Sequence, residues 1–351
     1  MITAKELAEK LGISTAAVSL ALNDRPGVSE RTRSMVKQQA ARYGYHPKGE
    51  KKQKKVYGKN IRYVIFLDNG MAVKETSFYS FVLLGIEARA KEFGFNVLVS
   101  YFNTEEDWSL QAENLSVNTS GLIILATELR EHHMQKMLRN EAVLKQWSRI
   151  PVVLVDNTTN LIDLDSVQSD NYRGARMAAD YLFSRGFSDV GYLRSTTHIT
   201  CFDERGAGLE ASRKAHGLGE EAPLKVVDVA SSSDQAFEDM NRFLDRGGEI
   251  CSAYFADNDI IAAACIHALK NHGLRVPEDV SVIGFDDMPL CTLFEPPLTT
   301  IGVKKTTIGR IAMELLNRRI LAGQSAIGEK APDACMRITI SARVIARESV
   351  R

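Results

Sequence analysis

The chain has 351 residues, and its 44 lysines and arginines balance its 44 aspartates and glutamates. This length predicts two or three domains, and a hydrophobic fraction of 44% is that of an ordinary soluble protein with buried cores. Five scattered cysteines, none in a CxxC pair, argue against a zinc site or a disulfide framework. The sequence begins with a capped helix rather than a signal peptide and contains no bilayer-length apolar run, so we expect a cytoplasmic protein without a membrane partner.

Residues 3–45 have the pattern of three short helices. Thr3 and Glu6 form a predicted capping box at the start of the first helix, and Gly12 supplies the left-handed residue that ends it. Ser14 then caps a second helix, and Ser29 caps a third. Two helices joined by a tight glycine turn, with a third packed across them, predict a helix-turn-helix that offers its second helix to the DNA major groove. On this pattern alone, any small three-helix bundle is the alternative.

The distribution of charge favours the DNA-binding interpretation. Residues 1–60 contain thirteen Lys and Arg against five Asp and Glu, a net charge of +8, so residues 61–351 carry −8. A basic head on an acidic body is the distribution expected when only the head meets phosphates.

Residues 48–60 are predicted to form a basic linker, because residues 48–59 contain six lysines and almost nothing to bury. One interpretation is a solvated, disordered segment. The other is a segment that meets the DNA backbone or minor groove through Lys51, Lys52, Lys54 and Lys55.

From Ile61 onward the sequence alternates between strands and helices, which implies parallel sheets with right-handed crossovers. The predicted strands are Ile61–Leu67, Asn96–Tyr101, Gly121–Ala126, Pro151–Val155, Ser166–Ser169, Val190–Arg194, Lys225–Val229, Ala253–Ala256 and Ser281–Phe285. The predicted helices are Ser77–Phe93, Glu106–Val117, Arg130–Gln146, Tyr172–Ser184, Phe202–His216, Asp234–Arg246 and Asn258–His272. Two sets in similar order predict two doubly wound subdomains, with ligands at the carboxyl ends of the strands.

These motifs resemble those of the LacI/GalR family of bacterial repressors, in two independent halves that match in the expected order. The head carries Thr3-Ala4-Lys5-Glu6-Leu7-Ala8, Gly12-Ile13-Ser14, Val18-Ser19, Leu22-Asn23, Val28-Ser29, Thr32-Arg33 and Tyr43-Gly44-Tyr45-His46-Pro47. The body carries Asp170-Asn171, Gly174, Arg205 with Gly208, Asn258-Asp259, Val276-Pro277, Val282-Ile283-Gly284-Phe285-Asp286-Asp287, Pro297-Leu298-Thr299-Thr300 and Arg347-Glu348-Ser349. The family's hinge helix is not matched, because Lys48 follows Pro47, Gly49 breaks the helical pattern and Lys54 falls where the family has a wedge leucine.

The resemblance implies an α/β fold: a three-helix helix-turn-helix domain followed by two doubly wound parallel-sheet subdomains, like those of periplasmic sugar-binding proteins. We expect the DNA-binding domain at 1–47, the linker at 48–60 and the effector-binding and dimerisation domain at 61–351. Within the latter, subdomain one covers 61–165 and 301–330, and subdomain two covers 166–300 and 331–351. The three crossings are expected near Ser166, Thr300–Lys304 and Ala331.

The resemblance also implies roles for residues of the head. We expect Thr15, Ala16 and Leu20 to face base edges, whereas Thr3, Ser14, Ser19, Asn23 and Ser29 belong to the remaining DNA-binding surface, mostly on phosphates. Because Ala16 and Leu20 can touch only apolar base features such as a thymine methyl, direct hydrogen-bond readout is expected to be sparse.

Four polar residues fall just after strand ends or at helix starts and are expected to meet in a cleft between the subdomains: Asp156, Arg205, Asn258 and Asp286. Carboxylates accept from pairs of hydroxyls, while a guanidinium and an amide donate, so such a set suits a polyhydroxylated ligand. The family places its effector contacts at matching positions. For Asn258 and Asp286 helix capping is the alternative, and for Arg205 a surface location. Asn69, Phe78 and Tyr79 are added as the expected ligand-facing surface of subdomain one.

One family feature is missing. Many sugar-binding members stack an aromatic ring on a pyranose from the loop after the strand Lys225–Val229, but here that loop reads Ala230-Ser231-Ser232-Ser233. The sequence therefore supports a polar effector more strongly than a pyranose in particular.

An enzyme is not expected, because the sequence has no GxGxxG at its first strand–helix turn, no Walker loop and no GxSxG motif. The prediction is an effector-controlled repressor without a cofactor, binding a palindromic operator as a homodimer. Two alternatives stay open: a sugar-binding receptor, or a sugar-processing enzyme with an appended helical domain.

Overall fold

The computed structural model describes residues 3–22, 27–42, 59–68, 70, 77–218 and 223–351. The chain forms two compact units, residues 1–57 and residues 58–351. None of the helices in these ranges has the length and apolarity to cross a membrane.

The first unit contains the three predicted helices, α1 (Ala4–Leu11), α2 (Thr15–Leu22) and α3 (Glu30–Arg42). The capping box is present: Glu6 N donates to Thr3 Oγ1 at 3.3 Å, and Thr3 N donates to the Glu6 carboxylate at 2.7 Å. Gly12 ends α1 with a φ of +64°, a conformation that a residue with a Cβ adopts at a cost. The helices enclose one small core, formed by Leu7, Ala8, Val18, Ala21, Val36 and Ala40.

The second unit is an α/β structure with two parallel-sheet layers, each flanked by helices. Its helices are α4 (Phe78–Glu92), α5 (Trp108–Ser116), α6 (Glu131–Arg139), α7 (Glu141–Trp147), α8 (Asn171–Ser184), α9 (Thr200–Ala215), α10 (Ser233–Asp245), α11 (Asp259–Asn271) and α12 (Lys305–Leu321), with a 3₁₀ helix at Pro289–Thr292. Its strands are β1 (Lys59–Leu67), β2 (Phe95–Asn103), β3 (Leu122–Leu125), β4 (Val152–Val155), β5 (Asp165–Ser169), β6 (Val190–Ser195), β7 (Val226–Val229), β8 (Ala253–Ala256), β9 (Ser281–Asp286), β10 (Thr299–Gly302), β11 (Arg337–Ile340) and β12 (Arg343–Ile345).

Among the described residues, each sheet has six strands. The first has the order β11-β5-β4-β3-β1-β2 and the second has the order β12-β10-β9-β8-β6-β7. Within the described ranges, pairing is parallel except between β10 and β12, which run antiparallel at the edge of the second sheet. The two predicted doubly wound subdomains are therefore present, and the carboxyl ends of β3, β4, β8 and β9 lie where such folds bind ligands.

Two predicted crossings between the sheets are displaced. β5 pairs with β4, and β11 pairs with β5, so both strands belong to the first sheet. The chain consequently leaves the first sheet after Ser169 rather than near Ser166, and it leaves again after Ile340 rather than near Ala331. The passage from β10 to α12 falls at the predicted Thr300–Lys304 crossing. The pattern of an isolated strand does not reveal its partner, which is why the predicted boundaries at 165/166 and 330/331 are misplaced.

One predicted helix is two helices. The span Arg130–Gln146 divides at Asn140, whose backbone is extended at φ −92° and ψ 111°. The Asn140 side chain accepts hydrogen bonds from the amides of Ala142 and Val143 at 3.0 and 3.1 Å, and so caps α7. An asparagine side chain competes with the helical backbone for hydrogen bonds in this way. The spacing of apolar residues in the segment gives no indication of this competition.

Helices α4 and α12 pack with their backbones almost in contact. A Cβ added to Gly85 would lie 2.1 Å from the carbonyl oxygen of Thr306, and one added to Gly309 would lie 2.0 Å from that of Val82. Because only glycine fits these two positions, the helices are held as a tight pair under the first sheet. Helix α4 of this pair contributes Phe78 and Tyr79 to the cavity between the two sheets.

Candidate functional site

Helix α2 exposes two of its three predicted base-reading residues, Thr15 and Ala16, together with Ser19, which is predicted to contact phosphate. Leu20 is only half-exposed and lies beside Gly27, at which an added Cβ would be 3.1 Å from Leu20 Cδ1. Part of the Leu20 side chain is therefore covered by the segment before α3, and its contact with base edges stays a prediction.

The hydroxyls predicted to meet phosphates are already used to cap helices. Ser14 Oγ accepts from Ala17 N at 3.1 Å, and Ser29 Oγ accepts from Thr32 N at 3.1 Å. A hydroxyl that accepts a backbone hydrogen bond still has its own proton to donate, so capping and phosphate contact are compatible. Other predicted DNA-binding residues lie outside the described residues: Asn23, Lys51, Lys52, Lys54 and Lys55.

In the second unit, a cavity lies between the two sheets. It is lined by Phe78, Tyr79, Thr127, Asp156, Ile199, Cys201, Phe202, Arg205, Asn258 and Asp286. Six of the seven predicted effector residues are among them, whereas Asn69 lies outside the described residues. One wall comes from α4 and the ends of β3 and β4, and the other from α9, α11 and the end of β9.

Arg205 is the centre of the polar wall and is only 3% exposed. Its Nη2 lies 3.2 Å from Asp286 Oδ1, its Nε donates to Asn171 Oδ1 at 3.1 Å, and its Nη1 donates to the carbonyl of Asp257. The guanidinium carbon also lies 3.8 Å from the centroid of the Phe285 ring. A guanidinium with this many fixed contacts is held rigidly, which favours a ligand that matches its orientation.

Two lining aspartates have unusual backbone conformations at strand ends. Asp156, after β4, has a φ of +68°, and Asp286, at the end of β9, has a φ of +112°. Such conformations cost about 1–3 kcal/mol each and are concentrated at functional sites. Asp156 Oδ2 accepts from the hydroxyl of Thr127 at 2.7 Å, so its carboxylate is fixed towards the cavity from the first wall.

Burial perturbs both carboxylates. It raises the pKa of Asp156 to about 6, opposed by the hydrogen bond from Thr127 and the charge of Arg205. Burial also raises the pKa of Asp286, against the opposing charges of Arg205 and Lys305. Desolvated carboxylates are strong acceptors for hydroxyl or N–H donors of a ligand, because water does not compete with them.

Asn258 serves as a cap as well as a lining residue. Its Oδ1 accepts from Ile261 N at 2.9 Å at the start of α11. The capping alternative is therefore present in the structure together with the cavity location, and the amide nitrogen of Asn258 supplies two N–H donors at the wall.

The cavity lining also includes four residues that the sequence patterns did not single out as site residues. Thr127 follows β3, and Ile199, Cys201 and Phe202 surround the start of α9. Their position after predicted strands could have indicated that they line the cavity, as it did for the polar candidates. Their residue types could not, since an isoleucine or phenylalanine near a helix start normally belongs to the hydrophobic core.

The cavity can thus clamp a small molecule between carboxylate acceptors, amide and guanidinium donors, and aromatic rings. Among the described residues, no cluster of three or more His, Cys, Asp or Glu could hold a metal ion.

Comparison with known proteins gives the same two-part division. A family model for bacterial regulatory proteins of the lacI family matches residues 3–48, and a periplasmic binding protein-like domain model matches residues 179–350. The HTH-type transcriptional repressor PurR of Haemophilus influenzae is 27% identical over 356 residues, covering 100% of this chain and 99% of the relative. The HTH-type transcriptional regulator DegA of Bacillus subtilis is 27% identical over 351 residues, covering 99% and 97%.

Solved structures share the fold over 82% to 99% of the chain. A complex of the transcriptional regulator CelR with cellobiose has a TM-score of 0.68 at 23% identity, covering 99% of this chain and 100% of that one. A lac repressor dimer bound to operator and the anti-inducer ONPF has a TM-score of 0.68 at 22% identity, covering 99% and 98%. A regulator from Enterococcus faecium with bound ribose has a TM-score of 0.67 at 21% identity, covering 82% and 98%.

Proposed function

We propose that this chain, whose residues 3–48 match the model of the lacI family of bacterial regulatory proteins, is a cytoplasmic repressor of that family. In this proposal it binds a palindromic operator as a homodimer, under the control of a small polar effector, a sugar or sugar derivative. The observation that carries the proposal is the cavity, in which Asp156, Arg205 and Asp286 converge from distant parts of a chain that begins with a helix-turn-helix.

The DNA-binding part rests on the exposed face of α2 and on charge. Thr15, Ala16 and Ser19 are exposed on a helix of the length and position used for major-groove reading. The net charge of +8 on residues 1–60 supplies phosphate attraction, so operator affinity is expected to fall steeply with salt.

The effector part rests on the mixture of donors and acceptors. Neighbouring structures bind cellobiose and ribose. The loop after β7 offers no ring here, but Phe78, Tyr79 and Phe202 line the cavity and can cover the apolar face of a sugar. We therefore expect ring contacts from the α4 and α9 walls.

Dimerisation is supported by exposed apolar surface on both subdomains. Leu84 on α4 is 54% exposed and Tyr101 on the edge strand β2 is 61% exposed. On the second subdomain, a surface groove between α10, α11 and the 3₁₀ helix is lined by Phe237, Ile260 and Phe294, among others. Surface of this kind is typical of protein interfaces, and the lac repressor neighbour is a dimer.

The proposed switch is a change in the angle between the two first subdomains of the dimer. A ligand that bridges both walls favours a closed cavity, and only this difference in affinity between two states can act on DNA binding. Rotation of the first subdomains would then alter the spacing of the two helix-turn-helix units relative to the half-sites.

A direct test combines DNA selection with effector addition. Purified full-length protein is used to select operators from a random DNA library, and the selected duplex is titrated with cellobiose, D-ribose and a panel of other sugars. Symmetric selected sites, with affinity changed by at least one sugar, support the proposal. Turnover of a sugar without any selected DNA supports the enzyme alternative, and sugar binding without selected DNA supports the receptor.

A further inference from the structure

Lys305 is a buried lysine at the passage between the two sheets. It is the first residue of α12, three residues after the last residue of β10, and it is 8% exposed. Its Nζ donates to the carbonyl oxygen of Asp286 and, at 3.0 Å, to that of Asp287. The same Nζ lies 5.7 Å from the centroid of the Phe81 ring on α4. One ammonium group thus touches the end of β9 and the helix pair of the other subdomain.

The location of this ammonium is unfavourable for α12 itself. A positive charge in the first turn opposes the helix dipole, and a buried ammonium loses its hydration. The neighbouring Lys304 is exposed and avoids the second cost. The contacts of Lys305 must therefore offset these costs, and they are all made to elements outside α12.

The first of these elements is the turn that carries the effector-facing carboxylate. Asp286 and Asp287 have φ values of +112° and +54°, so their backbone is held in the left-handed region. Charge-assisted hydrogen bonds from Lys305 to both carbonyls fix the turn. The Asp286 side chain on this turn lies 3.2 Å from Arg205, so the ammonium determines where that carboxylate points in the cavity.

The second element is α4. Phe81, over which the ammonium lies, is two residues beyond Tyr79, which lines the cavity. It is also one turn before Leu84, whose exposed side chain belongs to the proposed dimer surface. Because α4 and α12 are locked together at Gly85, a displacement of the Lys305 end moves the pair as one body.

We propose that Lys305 is a positioning residue that couples the effector-binding turn at Asp286 to the helix pair α4–α12, and through it to the dimer surface; this inference rests on the proposed function. Effector bound to the Asp286 carboxylate shifts the turn, Lys305 follows the two carbonyls, and α4 moves with it. Loss of the ammonium leaves the cavity and the helix pair in place but uncouples them.

Hydrogen exchange measured by mass spectrometry on the full-length protein tests this coupling without DNA or effector. The reporters directly after the turn are the amide of Met288, which donates to Asp259 at 2.8 Å, and that of Cys291 in the 3₁₀ helix, which donates to the Met288 carbonyl at 2.9 Å. Lys305→Met is expected to speed exchange about tenfold in this turn and in the first two turns of α4. Lys304→Met, the adjacent exposed lysine, is the matched control and is expected to leave both segments unchanged.

A second variant removes the contact of the ammonium with α4. Phe81→Leu removes the ring and is expected to speed exchange of the Met288 and Cys291 amides about threefold, although Phe81 lies on a different element. If Phe81→Leu leaves the turn at the wild-type rate, the coupling is refuted, whatever Lys305→Met does and even if that variant fails to fold. Faster exchange in Lys305→Met that is confined to the start of α12 also refutes it, as does an equal effect from Lys304→Met. Operator binding enters none of these readouts, so a failure here is distinct from a failure of the proposed function.

Discussion

The helix-turn-helix and the cavity of the second unit use polar side chains in opposite ways. On α1 to α3, the hydroxyls of Thr3, Ser14 and Ser29 are exposed and bind backbone amides three residues further on. In the cavity, Arg205 and Asp286 are buried and bind each other across 81 residues of sequence. The helix-capping hydrogen bonds need only a few neighbouring residues, whereas the Arg205–Asp286 pair depends on the complete fold. Substitutions are therefore expected to act locally in the first unit and on the whole switch in the second.

The largest effect is expected from Asp286→Ala. Removing this carboxylate leaves Arg205 without its ionic partner and the effector without an acceptor, a loss of about 2–5 kcal/mol in effector binding. The effector response is expected to disappear while operator affinity without effector stays near that of the wild type, as measured by fluorescence anisotropy.

Asp228→Ala is the matched control, because Asp228 pairs with Arg194 on the surface of the same subdomain. It is expected to respond to effector normally. A normal response from Asp286→Ala would place the effector elsewhere and remove the contrast between the two regions.

Burial of the charged Asp156 carboxylate is expected to lower the free energy of unfolding at neutral pH. The pKa of Asp156 rises on folding from 3.8 to about 6, chiefly through burial. Between these values the folded state binds more protons than the unfolded state, so this group lowers the free energy of unfolding as pH rises. The total is on the order of 3 kcal/mol.

Asp156→Asn is therefore expected to be more stable than the wild type at pH 7 and similar to it near pH 4, in urea unfolding. The exposed Asp228→Asn is expected to show no such gain. Equal stability of Asp156→Asn and wild type at both pH values would contradict the strained, charge-burying description of the cavity.

A smaller change is expected from Leu20→Arg in the first unit. A guanidinium on this half-exposed position can donate two hydrogen bonds to a guanine, which is worth about 1–3 kcal/mol of discrimination. DNA selection with the variant is expected to give a different preferred base at one position of each half-site, with the effector response preserved. An unchanged selected sequence would remove Leu20 from the reading surface.

The smallest effect is expected from Thr3→Ala, which removes the cap of α1 at a cost of about 1 kcal/mol. Because the capping box is local, the change is expected to lower the melting temperature of the first unit in calorimetry without altering that of the second. A shift of both transitions together would show that the two units unfold as one.

The difference between local and long-range contacts also explains which features could be predicted from the sequence. The capping box at Thr3 and the glycine turn at Gly12 were predictable, because each pattern is read within a few residues. The rule for parallel sheets predicted that Asp156 and Asp286, at strand ends, and Arg205, on the helix after β6, would meet in one cleft. The edge strand β11 and the break at Asn140 were not recovered, because pairing partners and side-chain competition for the backbone are not visible in hydrophobic periodicity.

If the cavity and the operator are linked through two states of one dimer, effector and operator must change each other's affinity reciprocally. Once an effector is identified, its dissociation constant is measured by calorimetry with the protein free and with the protein saturated by operator. Linkage requires the operator to change effector affinity by the same factor by which effector changes operator affinity. Equal factors are the predicted result. If effector releases DNA but operator leaves the effector affinity unchanged, the cavity and the operator are not linked through two states of the dimer.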